Sequence, residues 1–125
     1  MSADEEVEEI RTAIATDAAA ATERELWSKR ANRQQGVRAV GGRATITTRR
    51  LLFASHALDS ALGGADVAIE LADIETVEAK GLRRLVHITT RSGETERLVL
   101  QPPKRSAQLI EAAAEAARTG ARIEP

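Results

Sequence analysis

The chain has 125 residues, enough for one hydrophobic core, so all of its features are expected to belong to one fold. It contains no cysteine, which excludes a disulfide framework, a thiolate nucleophile and a cysteine-based zinc site. Its formal net charge of −1 by itself predicts neither a nucleic-acid nor a membrane partner. The acidic amino terminus does not resemble a signal peptide, and no stretch approaches the roughly 20 apolar residues of a membrane span. The sequence therefore predicts a soluble, cytoplasmic protein without a transmembrane segment.

The charges are distributed unevenly along the chain. Residues 1–23 carry seven acidic residues and one arginine, whereas residues 24–50 carry eight basic residues and one glutamate. This asymmetry predicts that the acidic segment attracts the basic one, either within a chain or between two chains, and covers it. The candidate contacts for an anionic ligand or a partner are the basic residues of the second segment: Lys29, Arg30, Arg33, Arg38, Arg43, Arg49 and Arg50.

The acidic segment is expected to form a helix. Ser2 and Glu5 make a capping box, and high helix propensity continues through the alanine run 18–21 to Leu26 and Trp27. Apolar residues recur at the spacing of one helix face at Val7, Ile10 and Ile14. Because this apolar stripe is thin, electrostatic attraction is expected to help the helix dock. Docking within the chain, docking onto a second copy and no docking at all stay open.

From Trp27 onward the helical period is lost, and turns are expected at Gln34-Gln35-Gly36 and at Gly41-Gly42. Alternating apolar residues then predict short strands at 43–48, 51–53, 67–71, 75–80, 83–90 and 94–101. The sequence places a turn at Arg49-Arg50 and a two-residue hairpin at Ser92-Gly93. Pro102-Pro103 is expected to end the sheet.

A helix is expected over 104–119, with Gly120 as its carboxyl-terminal stop. Its apolar face is predicted to contain Leu109, Ile110, Ala113 and Ala117. The strand residues expected to face the same core are Ala44, Ile46, Leu51, Phe53, Val86, Ile88, Leu98 and Leu100. If the Phe53 ring is fully buried, Phe53→Ala should cost about 3 to 5 kcal/mol.

Two stretches resemble a known family. Gly42-Arg43-Ala44-Thr45-Ile46-Thr47-Thr48-Arg49-Arg50-Leu51-Leu52-Phe53 resembles the glycine, apolar-x-apolar-Thr, basic turn, apolar-x-Phe signature of GRAM domains. Ile69-Glu70-Leu71-Ala72-Asp73-Ile74-Glu75-Thr76-Val77 looks like the second recurring piece of that family. GRAM domains belong to the pleckstrin-homology-like (PH-like) superfold.

This resemblance implies an α+β fold, in which an antiparallel β-barrel or roll of about seven strands is capped by a C-terminal α-helix. An N-terminal helical extension precedes the barrel. The expected organisation is an acidic extension at 1–23, a GRAM/PH-like domain at 24–120 and a short tail at 121–125. Since such domains bind ligands and partners, a non-enzymatic binding module is expected, with no cofactor and no metal.

Three kinds of partner are compatible with the basic segment. Protein interaction or self-association, through a sheet edge or the amino-terminal helix, is favoured because a near-neutral chain with an acidic arm is a poor constitutive membrane binder. Anionic lipid headgroups contacting residues 29–50 are the alternative, although no clean phosphoinositide motif occurs there. Nucleic-acid binding ranks third, since interleaved aromatic residues and a recognition helix are both lacking.

Catalysis finds little support in the sequence. Ser55, His56 and Asp59 are close together, but a catalytic triad normally draws its members from distant segments. His56 and His87 are the only histidines, and no carboxylate spacing beside them indicates a zinc site. His87 alternates with buried-type residues and is expected to face the surface.

Overall fold

The computed structural model describes residues 3–17, 23–35, 38–55, 67–80 and 85–123. In chain order, the helices and strands are α1 (Ala3–Asp17), β1 (Glu25–Gln35), β2 (Arg38–Thr47), β3 (Arg50–Ser55), β4 (Val67–Glu70), β5 (Ile74–Lys80), β6 (Leu85–Thr90), β7 (Thr95–Val99) and α2 (Pro103–Ile123). A single 3-10 turn, Leu71–Asp73, joins β4 to β5.

The seven strands form one open antiparallel sheet in the order β4-β3-β2-β1-β7-β6-β5. The inner faces of both halves of the sheet contribute to one core with α2, so the sheet rolls over on itself. Phe53 is the largest fully buried side chain of this core and is 1% exposed. The predicted inward residues of the strands are all buried, which confirms the alternation inferred from the sequence.

The first strand hairpin differs from the expectation. β1 is an eleven-residue strand that contains Leu26, Trp27 and the predicted turn residues Gln34 and Gln35. The predicted continuation of the helix to Trp27 is therefore wrong, while the alanine run 18–21 lies outside the described residues. β1 forms because it pairs with β2 along its whole length and with β7 at its end, although its local sequence is polar.

Gly42 lies inside β2 and not in a turn, so the predicted turn at Gly41-Gly42 is wrong. A Cβ atom added to Gly42 would overlap the Ala54 carbonyl oxygen and would lie 2.8 Å from the Phe53 Cζ atom. Glycine is needed here because β3 and the Phe53 ring approach the backbone of β2 closely. The turn predicted at Arg49-Arg50 is present one residue earlier, at Thr48 and Arg49, because Arg50 already belongs to β3.

The closing helix is longer than expected. α2 runs from Pro103 to Ile123, so Gly120 lies within it and does not end it. A helical glycine costs about 1 kcal/mol relative to alanine, and the strong helix formers Ala121 and Arg122 follow it. Its buried face includes Leu109, Ile110 and Ala113, as predicted, whereas Ala117 is only partly buried.

Helix α1 packs against α2 of the same chain. Ile10 and Ile14, which are 4% and 1% exposed, join the core. Two ion pairs also connect the helices, from Arg105 to Glu6 at 2.5 Å and from Arg11 to Glu115 at 3.4 Å. α1 therefore docks in cis and packs on α2.

Candidate functional site

The seven basic residues predicted to bind an anionic partner are spread over several surfaces. They lie on β1, on β2, in the turn after β2 or, for Arg50, at the first position of β3. Because side chains alternate between the two faces of a strand, closeness in sequence does not bring them together. The structure places two of them opposite each other on the outer face, and it engages two others in ion pairs with glutamates of the same chain.

Arg30 of β1 and Arg43 of β2 are cross-strand partners. Both side chains are exposed, and we refer to these two residues as the arginine pair. The Arg43 Nε atom donates a hydrogen bond to the Ser28 Oγ atom at 2.6 Å. None of the ion pairs formed between described residues includes either arginine of the pair. Like charges directly opposite each other destabilise an antiparallel ladder, so the arginine pair is not explained by the stability of the sheet.

Arg33 belongs to the other face of β1 and is already engaged. Its Nε and Nη2 atoms donate hydrogen bonds to both carboxylate oxygens of Glu96 in β7, at 2.7 and 3.1 Å. The two side chains are 19% and 22% exposed. This bidentate pair joins the two halves of the sheet, so Arg33 has a structural role without any external ligand.

Arg50 is engaged by Glu23, the last acidic residue of the amino-terminal segment. The Arg50 Nε and Nη2 atoms donate to the two Glu23 carboxylate oxygens at 2.9 and 2.7 Å, and the Thr47 hydroxyl donates to the same carboxylate at 2.5 Å. These bonds, Arg50 first and Thr47 second, lower the pKa of Glu23 from 4.5 to about 2. The Glu23 hydrogen bond in turn raises the pKa of Arg50. The predicted attraction between the two segments is therefore seen at the contact between Glu23 and Arg50.

The remaining three candidates occupy separate positions. Lys29 lies opposite Ala44 and is half-buried, while Arg38 is exposed at the start of β2. Arg49 is exposed in the turn, where its backbone N–H donates to the Thr47 Oγ1 atom at 3.1 Å. By strand alternation both Lys29 and Arg38 lie on the face of the β1–β2 hairpin opposite to the arginine pair.

Residues considered for catalysis are not assembled into a site in the described part of the chain. Ser55 is buried at the end of β3, and His56 and Asp59 lie outside the described residues. No group of three or more described acidic or histidine side chains is arranged to hold a metal ion. His87 lies on the outer face of β6 between Glu78 and Arg97. Partial burial, followed by the charges of Arg97 and Lys80, lowers its pKa below 6.5.

A cleft that sequence reasoning missed lies between β4 and the turn that joins β6 to β7. It has a volume of roughly 380 Å³ and is lined by Ile69, Glu70 and Asp73 on one side and by Arg91 and Glu94 on the other. The turn between β6 and β7 forms one wall. It is a three-residue loop, one residue longer than the predicted Ser92-Gly93 turn, because the Gly93 N–H donates to the Thr90 carbonyl oxygen at 3.0 Å and Gly93 itself has a positive φ of 93°. No local sequence pattern indicates this cleft, because it forms only when the sheet rolls and brings β4 close to the β6–β7 turn.

Comparison with known proteins defines the fold. No family model matches the chain, and no curated protein matches it. Among solved structures, the C-terminal domain of an unknown protein from Leishmania infantum has 21% identity and a TM-score of 0.59, covering 82% of this chain and 93% of that one. The C-terminal PH domain of human pleckstrin has 18% identity and a TM-score of 0.57, covering 77% and 90%. The PH domain from PfAPH has 12% identity and a TM-score of 0.57, covering 95% and 97%.

The chain has a PH-like fold. Both helices and the seven-stranded sheet agree with the architecture expected from the resemblance. At these levels of sequence identity the likeness shows the fold alone, and the membership of the GRAM family is not established by it. None of the helices in the described ranges is long and apolar enough to cross a membrane.

Proposed function

We propose that the protein is a non-enzymatic, GRAM-like binding module that recognises an acidic surface of a protein partner through the arginine pair. In this proposal residues 24–120 form the binding domain, residues 1–23 are its helical extension, and the protein acts in the cytoplasm. The partner is another protein or a second copy of this chain. The observation that supports it is the direct cross-strand pairing of Arg30 and Arg43 on the exposed face of the sheet.

The arginine pair is energetically unfavourable for the free protein. Two opposed like charges cost a few tenths of a kcal/mol to about 1 kcal/mol in a β-ladder. A carboxylate placed between them would replace this repulsion with charge-assisted hydrogen bonds, which are among the stronger ones in proteins. Arg43 is also oriented by its hydrogen bond to Ser28, so part of the ordering cost is met before a ligand binds.

A protein partner fits this surface better than a membrane. Arg33 and Arg50 are neutralised by Glu96 and Glu23, which leaves the arginine pair and Arg38 as the exposed basic residues on the described strands of the β1–β2 hairpin. At about 1 kcal/mol for each basic residue near an anionic membrane, three residues provide about 3 kcal/mol. That is weaker than the roughly 4.1 kcal/mol that corresponds to a millimolar dissociation constant. Anionic lipid remains the alternative that the experiment distinguishes.

Self-association has a complementary surface on the same chain. Glu8 and Glu9 are exposed on α1, which is held on α2 with these side chains outward. A second copy therefore presents acidic side chains to the arginine pair. Sedimentation velocity of the full chain, with and without the double change Glu8→Lys and Glu9→Lys, tests this form of the proposal. If the protein is monomeric at all concentrations, self-association is excluded and the proposed partner is a different protein.

The test of the main proposal uses a labelled twelve-residue glutamate-rich peptide as the acidic probe, together with phosphatidylcholine vesicles containing phosphatidylserine. Arg30→Thr is the test variant, and Arg97→Thr, which removes an exposed strand arginine elsewhere on the outer face, is its control. Arg30→Thr should weaken peptide binding about tenfold and should also stabilise the fold by up to about 1 kcal/mol, because the repulsion disappears. Arg97→Thr should weaken peptide binding less than about twofold.

Vesicle binding distinguishes the alternatives. We expect the wild-type protein not to bind the anionic vesicles at physiological salt. Binding to anionic vesicles that persists at this salt and is lost in Arg30→Thr would replace the protein proposal with the membrane one. If wild-type protein binds neither the peptide nor the vesicles, the arginine pair is not a binding surface.

A further inference from the structure

The two edge strands of the open sheet differ in how they are covered. β5 is one edge, and α2 packs against it. Arg118 of α2 also donates a hydrogen bond to the Ile74 carbonyl oxygen of β5 at 2.5 Å. β4 is the other edge and pairs with β3 on one side, while no described strand pairs with its second side. An uncovered edge strand is a template for another strand.

The register identifies which backbone groups of β4 point away from β3. Arg50 is opposite Glu70, and the Leu71 N–H donates to the Arg49 carbonyl oxygen at 2.9 Å. In an antiparallel ladder this makes Leu51 and Ile69 a hydrogen-bonded pair, and the alternation continues along the strand. The backbone N–H and C=O groups of Ala68 and the N–H group of Glu70 therefore face the unpaired side. The Glu70 carbonyl oxygen is already used, because Glu70 is the N-cap of the 3-10 turn Leu71–Asp73.

These backbone groups border the cleft between β4 and the β6–β7 turn. Its volume of roughly 380 Å³ lies within the range of ordinary ligand sites. Glu70, Asp73 and Glu94 line it against the single basic residue Arg91, so the cleft is acidic. Ile69 adds an apolar side chain on the inner face of the strand. A short edge strand with a charged residue is a common protection against pairing, but here the strand borders a cleft with space beside it.

We propose that the edge of β4 is a docking site for an extended segment of a partner protein, which adds to the sheet as a further strand. Because three acidic side chains line the cleft and successive side chains of a strand point to opposite faces, the segment carries basic residues at alternate positions, with apolar residues between them. The backbone groups of Ala68 and Glu70 supply the affinity common to all such segments, and the acidic side chains supply the selectivity. This surface is separate from the arginine pair and takes the opposite charge, so either proposal can fail without the other.

The first measurement is amide hydrogen exchange by NMR on the full chain. In the free protein the amides of Ala68 and Glu70 should exchange faster than those of Val67 and Ile69, which donate to β3. The probe is a capped seven-residue peptide that alternates valine and arginine, and the control peptide has glutamate in place of arginine. The arginine peptide should slow the exchange of Ala68 and Glu70 upon saturation, and the glutamate peptide should not.

Two substitutions test the geometry and the charge separately. Ala68→Pro removes an N–H group that the β3–β4 ladder does not use, so it should preserve the fold and weaken the arginine peptide at least about tenfold. Glu70→Lys should weaken the peptide by a similar factor. Glu78→Lys makes the same charge change at an exposed position of the opposite edge strand and should change the affinity less than about twofold.

The proposal is overturned if the amides of Ala68 and Glu70 in the free protein are protected as strongly as that of Ile69. It is equally overturned if the peptide binds without slowing these two amides, or if it does not bind. If Ala68→Pro does not fold, the exchange data on the wild-type chain and the comparison of Glu70→Lys with Glu78→Lys still decide the question.

Discussion

Glu23→Gln tests the contact between the acidic segment and the basic segment. In the folded chain the Glu23 carboxylate accepts hydrogen bonds from Arg50 and Thr47, and its pKa is about 2 instead of 4.5. A pKa lowered by this amount corresponds to a ceiling of about 3.4 kcal/mol of stabilisation at pH 7. The Glu23 and Arg50 side chains are 24% and 38% exposed, so solvent screening reduces the contribution. We expect about 1 to 2 kcal/mol.

The contribution of Glu23 to the free energy of unfolding depends on pH in a definite direction. Because the folded pKa of Glu23 lies below the unfolded value, its stabilisation is fully present above about pH 4.5 and is lost as the pH falls towards 2. Glu23→Gln should therefore lower the free energy of unfolding by about 1 to 2 kcal/mol at pH 7 and should hardly change it below pH 2.

Urea unfolding at pH 7, 4 and 2, followed by the fluorescence of the single tryptophan Trp27, measures this difference. Glu78→Gln is the matched control, since it removes a carboxylate from the exposed pair with Lys80 and should cost less than about 0.5 kcal/mol. An equal loss of stability in Glu23→Gln at pH 7 and at pH 2 would show that the charge of Glu23 is not the source of the effect.

Three further predictions address the core, the docked helix and the histidine. Gly42→Ala should cost at least about 2 kcal/mol in urea unfolding, since the new Cβ would overlap a backbone oxygen of β3; unchanged stability would contradict this close approach. Ile14→Ala should cost about 2 to 5 kcal/mol in a single transition, whereas a separate early transition would show that α1 does not unfold with the sheet. The pKa of His87, measured by NMR, should lie below 6.5 because of partial burial and then of Arg97, and Arg97→Gln should raise it; a wild-type pKa at or above 6.5 would contradict this environment.

Much of the fold was predictable because the strands after residue 42 carry strong local patterns. Ile46, Phe53, Val86 and Leu98 mark inner faces by simple alternation, and all of them are buried. β1 was missed because Ala31 is the only fully buried apolar residue along its polar sequence. Pairing with β2 and β7 makes it a strand, and a pairing partner cannot be read from local propensity.

The candidate site was less predictable, for a physical reason. The sequence marks a cluster of basic residues, but the strand period separates Arg30 from Arg33, and distant carboxylates decide which of them remain exposed. Glu96 lies 63 positions from Arg33, and Glu23 lies 27 positions from Arg50. No sequence pattern near Arg33 or Arg50 indicates either ion pair. The edge of β4 was foreseen only as a general possibility for protein interaction, because the cleft beside it depends on contacts between β4 and a distant hairpin.

The way α1 docks explains why the arginine pair remains exposed. Burial of Ile10 and Ile14 contributes on the order of 1.5 to 3 kcal/mol for each side chain. Exposed ion pairs such as Arg11–Glu115 contribute about 0 to 1 kcal/mol. Apolar packing against α2 therefore outweighs the attraction between the acidic helix and the basic strands, and it determines where the helix lies. Since the position of α1 depends little on its acidic residues, Glu8 and Glu9 on the helix and the arginine pair on the sheet all remain exposed.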